Sequence, residues 1–256
     1  MTEPEHPPTS ELAPITAARF WIALVPAMTV PFFASLLYFV VLSEQPIGKT
    51  IYAGAKVFTI VWPVLCIAIL WRRGRGRFKG FKDRRHWGSL RTHLRALPLG
   101  IVAGMVIVGT LWGLLQTPLA EIVEASAPAI RKKATALGFL ENYILFATFL
   151  SVLHSLIEEY FWRWFVFGHL RQKMSAVSAA VLGSIAFASH HLIVVGQFFP
   201  FGFAVFLSIC VAIGGLLWCW LYQRQGTLAG AWISHLIADA GLMAVGYSLL
   251  MPGAVG

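Results

Sequence analysis

Residues 200–222 read PFGFAVFLSICVAIGGLLWCWLY, a run with no charged side chain. A helix rises 1.5 Å per residue, so about 20 apolar residues cross a hydrocarbon core about 30 Å thick. This stretch is long enough to do so. Working outward, comparable runs occupy residues 19–43, 51–71, 97–116, 142–169, 176–198 and 227–251, broken at Pro, Gly or charge clusters. Closed β-barrels are excluded, because their strands alternate in polarity and are about half as long. The expected fold is all-α: a polytopic transmembrane helical bundle of seven spans, or eight if 176–222 divides differently.

Composition agrees. Of 256 residues, 58% are hydrophobic and 12% charged, with mean hydropathy +0.73. A soluble domain carries about 25% charged residues. Disorder, a coiled coil and a nucleic-acid-binding domain are excluded for the whole chain. Cys66, Cys210 and Cys219 lie in apolar runs without zinc-site spacing and read as small buried hydrophobes.

The polar segments organise the chain. Residues 1–18 read as a disordered tail before an uncleaved first span. Residues 19–116 form N-terminal spans around a basic loop, 72–96. Residues 117–141 read as an outer loop, and 142–251 as a helical core that carries the chemistry. The loop RRGRGRFKGFKDRRHWGSLRTHLR holds Arg72, Arg73, Arg75, Arg77, Lys79, Lys82, Arg84, Arg85, Arg91 and Arg95, half of the 20 basic residues. The positive-inside rule places it, and the N-terminus, in the cytoplasm. Arg131, Lys132 and Lys133 on the outer loop are discordant with that topology. The basic loop suits contact with anionic lipid and not nucleic acid. Gly100–Gly104 and Gly109–Gly113 are GxxxG spacings that favour close helix packing.

Ionisable groups inside spans are costly and by default mark function. Glu158, Glu159 and Asp239 are the acidic residues well inside spans, with Arg163 the arginine there. His154, His190, His191 and His235 also lie inside spans. Glu159 and Arg163 are i,i+4 and can pair, as can His154 and Glu158, and His235 and Asp239. Glu158 and His191 each lie about 15 residues from the turn RQKMS. They are therefore level with each other, near mid-membrane. His154 reads as a hydrogen-bonded neighbour of Glu158, His190 as facing away, and His86, His93 and His169 as surface or interfacial.

Three segments carry a resemblance. SLIEEYFWRWF holds E-E-x-x-x-R from Glu158 to Arg163. SIAFASHHL holds F-x-x-x-H from Phe187 to His191. AWISHLIADA holds H-x-x-x-D from His235 to Asp239. Together, across about 140–245, they resemble the CAAX-protease and bacteriocin-processing (CPBP, Abi) intramembrane endopeptidases, which include the type II CAAX prenyl endopeptidases. The resemblance implies a multi-pass membrane hydrolase that acts on a membrane-associated or lipidated peptide or protein. It implies Glu158 and His191 as the groups that activate water, His235 and Asp239 as completing the site, and Glu159 and Arg163 as support. Trp164 stands where the family often has Gly, and Asp239 where it often has Asn. An ionised Asp cannot donate a hydrogen bond to an oxyanion, so Asp239 either binds metal or orients His235.

Two mechanisms fit these residue types. Glu158 can serve as a metal-free general base with His191, His235 stabilising the tetrahedral intermediate. Alternatively, a divalent metal such as zinc is held by His191, His235 and Asp239, as in a metalloprotease. A non-proteolytic scaffold or immunity-type protein, and a proton-coupled transporter, are the alternatives to a protease. The expected setting is a cell membrane, the inner one in a bacterium, with lipid and peptide as partners.

Overall fold

The computed structural model describes residues 16–43, 45–71, 89–136 and 138–251. Most of the tail 1–18 and of the basic loop 72–96 lies outside the described residues. Among the described residues eight helices run in order: α1 (Ala17–Val41), α2 (Pro46–Ile69), α3 (Leu90–Leu114), α4 (Leu119–Ala136), α5 (Tyr143–Leu170), α6 (Ala176–Val195), α7 (Phe201–Gln225) and α8 (Ala229–Leu250). All but α4 are long and apolar enough to cross a membrane, and no strand occurs among the described residues. The expectation of an all-α, seven-span bundle holds.

The helix ends follow local chemistry. Ser89 and Ser175 accept hydrogen bonds from the amides of Thr92 and Ser178, satisfying free N–H groups at the starts of α3 and α6. The chain breaks between α6 and α7, with Pro200 as the N-cap of α7, so 176–222 divides into two spans. Gly226, with φ +67°, ends α7 in the left-handed region that glycine adopts at little cost.

Burial is arranged for a membrane. Ile22, Val57, Val106, Ile185 and Ile213 are exposed on the outside of the bundle, where lipid would solvate them. Lipid tails are as apolar as these side chains, so association rests on close packing and polar contacts. The centre is α5, whose Phe161, Phe165, Val166 and Phe167 are wholly buried. They share one core with Phe20 and Leu24 of α1, Phe187 of α6, Trp218 of α7 and Ala231 of α8. The turns of α5 widen to π-helix over Phe149–His154 and Glu159–Phe167, a geometry that often accompanies functional sites.

Helices α3 and α8 meet through the first GxxxG pair. A Cβ on Gly104 would lie 2.8 Å from Ile237 Cβ, and one on Gly100 would run into the Gly230 carbonyl. Gly109 and Gly113 have nothing within 4 Å of such an atom, so the second pair does not pack in this way.

Several expectations are corrected. Residues 117–141 are not a plain loop: Leu119–Ala136 is helical. Alanine-rich composition favours that helix, and Glu121 in its first turn and Lys133 in its last complement the dipole. Arg131 of the discordant basic patch donates to the Leu250 carbonyl, one of the free acceptors at the end of α8. His169 is fully buried and contacts the Phe165 carbonyl. His93 is half-buried, 2.6 Å from the Thr227 hydroxyl. Cys66 and Cys219 are buried, but Cys210 is exposed on the bundle's outer surface.

Candidate active site

Helix α5 supplies two consecutive carboxylates that turn towards one imidazole. Glu159 is wholly buried and Glu158 nearly so. Glu159 Oε1 lies 2.8 Å from His235 Nδ1, while Glu158 Oε2 lies 3.8 Å from His235 Nε2. The Nδ1–H of His235 therefore donates to Glu159, which fixes the ring and leaves Nε2 facing Glu158. Asp239, one helical turn on, reaches the same nitrogen at 3.6 Å. Asp239 thus approaches Nε2, and Glu159 takes the Nδ1 side that a ring-orienting acceptor requires.

The His235 ring stacks on Trp218 at 3.9 Å, and the Trp218 indole donates to Ser234. Beside them, Arg163 is buried, its NH1 3.3 Å from Glu159 Oε1. Its guanidinium lies over the rings of Phe187 and Trp218, at 4.5 and 4.8 Å. Aromatic faces stabilise a buried cation by cation–π attraction. The Glu159–Arg163 pair expected from their spacing is present, and Glu159 also anchors His235.

The other side of Glu158 faces histidines. His154 Nε2 is 3.1 Å and His190 Nε2 3.7 Å from Glu158 Oε1. The expectation that His190 faces away is corrected. Its ring is buried, parallel to Trp162 at 5.8 Å, and directed at Glu158. Adjacent helical residues diverge by about 100°, and His191 is nevertheless close by. The His190 and His191 ring centroids are 4.2 Å apart. The F-x-x-x-H register singles out one of two histidines that both border the carboxylate. His191 Nδ1 donates to the Phe187 carbonyl at 3.1 Å, which leaves the Nε2 lone pair for a proton or an ion.

Glu158, His190 and His191 each offer a donor atom within 4.8 Å of the others. This group shares only His191 with the expected metal set of His191, His235 and Asp239. Two imidazoles and a carboxylate fit a catalytic zinc-type ion in kind, with a fourth position left for water. Donors around such an ion lie about 3.3–3.5 Å apart, given metal–ligand bonds of about 2.0–2.1 Å, so these side chains would close inward on it. Trp164, the departure from the family's usual Gly, is accommodated by stacking on Tyr160 at 5.0 Å.

Residues 139–241 match the family model described as type II CAAX prenyl endopeptidase Rce1-like. The match spans α5 to α8 up to Asp239, the segment on which the three motifs lie, and bears out the resemblance. This part of the chain is Rce1-like, and the seven apolar helices mark the protein as a multi-pass membrane protein. No curated protein and no solved structure matches the chain.

Reading the sequence for acidic residues, arginine and histidine passes over Lys56, at an interior position of α2. It borders the same pocket as Glu158, His154 and His190. The signal was available: Lys56 is the sixth residue of the apolar run 51–71, and a lysine inside a span is as costly as an acidic residue there.

Proposed function

We propose that this protein hydrolyses a peptide bond of a membrane-associated or lipidated peptide, with Glu158 as the group that activates water. The carrying observation is the position of Glu158, a buried carboxylate ringed by His154, His190 and His235 at 3.1–3.8 Å. Glu158 accepts a proton as the water oxygen attacks the scissile carbonyl carbon. His235, pinned through Nδ1 by Glu159 and carrying a second proton on Nε2, would donate that Nε2–H to the developing oxyanion, the role that contributes most in acyl transfer. The proton then passes to the amide nitrogen as the C–N bond breaks. His191, with its free Nε2, borders the same water position. Asp239 would hold Nε2 of His235 in line until substrate enters.

The convergence of Glu158, His190 and His191 supports a second, metal-dependent reading of the same hydrolysis. These three residues would hold the ion, and His191 would be oriented for it by the Phe187 carbonyl. A bound divalent ion would supply a lowered water pKa and charge for the oxyanion. Proton transfer would then fall to a group that is not a ligand, with His154 and Asp239 the nearest choices.

The test compares membrane-associated peptides in cells carrying wild type or Glu158→Gln. Accumulation of an uncleaved peptide with the variant, itself folded and membrane-inserted, is expected. Identical peptide profiles would favour a scaffold, and pH-driven flux in proteoliposomes without hydrolysis would favour a transporter.

A further inference from the structure

Among the helices of the Rce1-like segment, α7 carries no residue of the three motifs. It nevertheless reaches the site through one ring. Trp218 lies seven residues before the last residue of α7, and His235 six residues after the first residue of α8. A short turn at Gly226 joins the two helices. At 1.5 Å per residue both side chains sit about 10 Å from that turn, level with each other. The Trp218 and His235 rings lie face to face, 3.9 Å between centroids and 15° from parallel. Phe187 approaches the same imidazole edge-on, at 6.2 Å and 85°. The Trp218 indole N–H donates to the Ser234 hydroxyl at 3.1 Å, and Ser234 directly precedes His235. Trp218 and Ser234 are both buried, and neither lines the pocket at Glu158.

We propose that Trp218, tied by Ser234, is a positioning residue for His235. This rests on the peptidase reading above and deepens it. A hydrogen bond tolerates about 30° of tilt, so Glu159 at Nδ1 leaves the plane of the imidazole loosely set. An indole packed flat against the ring narrows that range. Burial alone would be served by a leucine at this position. The bond to Ser234 fixes the tilt of the indole, and through it the plane in which Nε2 points at the reacting carbonyl. Because Ser234 and His235 are neighbours on α8, the tie and the ring it steadies move together. The span without a motif thereby acquires a role at the site.

Two measurements separate positioning from packing. The first is steady-state cleavage, in phosphatidylcholine nanodiscs, of an internally quenched form of the peptide that accumulates with Glu158→Gln. Trp218→Leu is expected to lower kcat about 10- to 100-fold, the scale for partners that orient a functional imidazole, with KM within about twofold of wild type. Trp218→Phe keeps a flat face and loses the N–H, so it should recover most of that loss and retain a deficit of about two- to tenfold, the scale of one hydrogen bond. Ser234→Ala removes the same bond from the other end. The double variant Ser234→Ala/Trp218→Phe should therefore be no worse than Ser234→Ala alone. This pair carries the test should Trp218→Leu fail to fold. The second measurement is NMR of ¹³C-histidine-labelled protein, with the His235 ring signal assigned by its disappearance in His235→Gln. Wild type should give one His235 signal displaced by the indole ring current, and Trp218→Leu should abolish the displacement. Losses confined to KM, losses that track thermal stability across the variants, or additive losses in the double variant overturn the proposal. So does an unchanged His235 signal in Trp218→Leu. A wild-type protein that shows the displaced signal and cleaves nothing would sink the peptidase reading instead.

Discussion

Glu159 Oε1 lies 2.8 Å from Nδ1 of His235, and this contact joins the middle of α5 to the first third of α8. Because Glu158 comes next to Glu159 in the chain, the same contact sets how Glu158 meets the Nε2 side of the ring. Removing the acceptor should therefore impair chemistry without removing any group that touches substrate. Glu159→Ala is expected to lower kcat about 10- to 100-fold, the scale for partners that orient a functional imidazole. Glu159→Gln retains an oxygen that accepts the Nδ1–H, so its loss should be smaller. Steady-state cleavage of a peptide by the folded fraction of each variant provides the check. Equal losses in both, or a change confined to KM, would refute the orienting role.

Arg163 is a buried cation whose neighbours are one carboxylate and two aromatic faces. Arg163→Met leaves the buried Glu159 carboxylate with His235 but without its arginine partner. Breaking a buried pair in this way costs about 3–5 kcal/mol. The double variant Glu159→Gln/Arg163→Met removes both charges and should be less destabilised than Arg163→Met alone. Arg163→Lys should not substitute fully, since an ammonium lacks the guanidinium's rigid fork of donors and is more strongly hydrated. Thermal unfolding in detergent would measure all three. Additive losses in the double variant would mean that the two residues act independently.

His190 offers a cleaner separation of packing from chemistry. Its ring is parallel to Trp162, while its Nε2 is directed at Glu158. Phenylalanine at this position keeps the aromatic contact and loses the nitrogen. His190→Phe should insert and fold like wild type, yet lose at least about tenfold in kcat if Nε2 serves the water at Glu158. Should the variant cleave at the wild-type rate, His190 is packing alone and the group with His191 and Glu158 has no function.

Much of this was legible in the sequence because membranes simplify the problem. Apolar length fixes a span, and a charge inside one is conspicuous, so α1 to α3, α5 to α8 and the residues Glu158, His191, His235 and Asp239 could be picked out. Which way a side chain turns was less legible. Ideal helical geometry sends Glu158 and Glu159 to faces about 100° apart, but both reach His235, where α5 passes into its π segment. The same limit hid His190. Helix α4 was missed because it is polar, so the signal that finds spans is silent there. Lys56 was missed because it stands alone, without a motif.

Helix α3 lies outside the Rce1-like segment yet supports the site. Gly104 packs where α8 carries Ile237, midway between His235 and Asp239, and a Cβ there would come within 3.0 Å of the Ser234 carbonyl as well. Gly104→Ala must push the two helices apart by several tenths of an ångström. Overpacking of this kind costs about 1–3 kcal/mol. The displacement falls on the helix that carries the imidazole pinned by Glu159, so activity should fall along with stability. Gly109→Ala lies on the same helix with nothing within 4 Å and serves as the control. It should match wild type in thermal stability and in cleavage rate. If both alanine variants behave alike, α3 is a passive neighbour; if only Gly104→Ala loses activity, the close approach of α3 sets the position of His235.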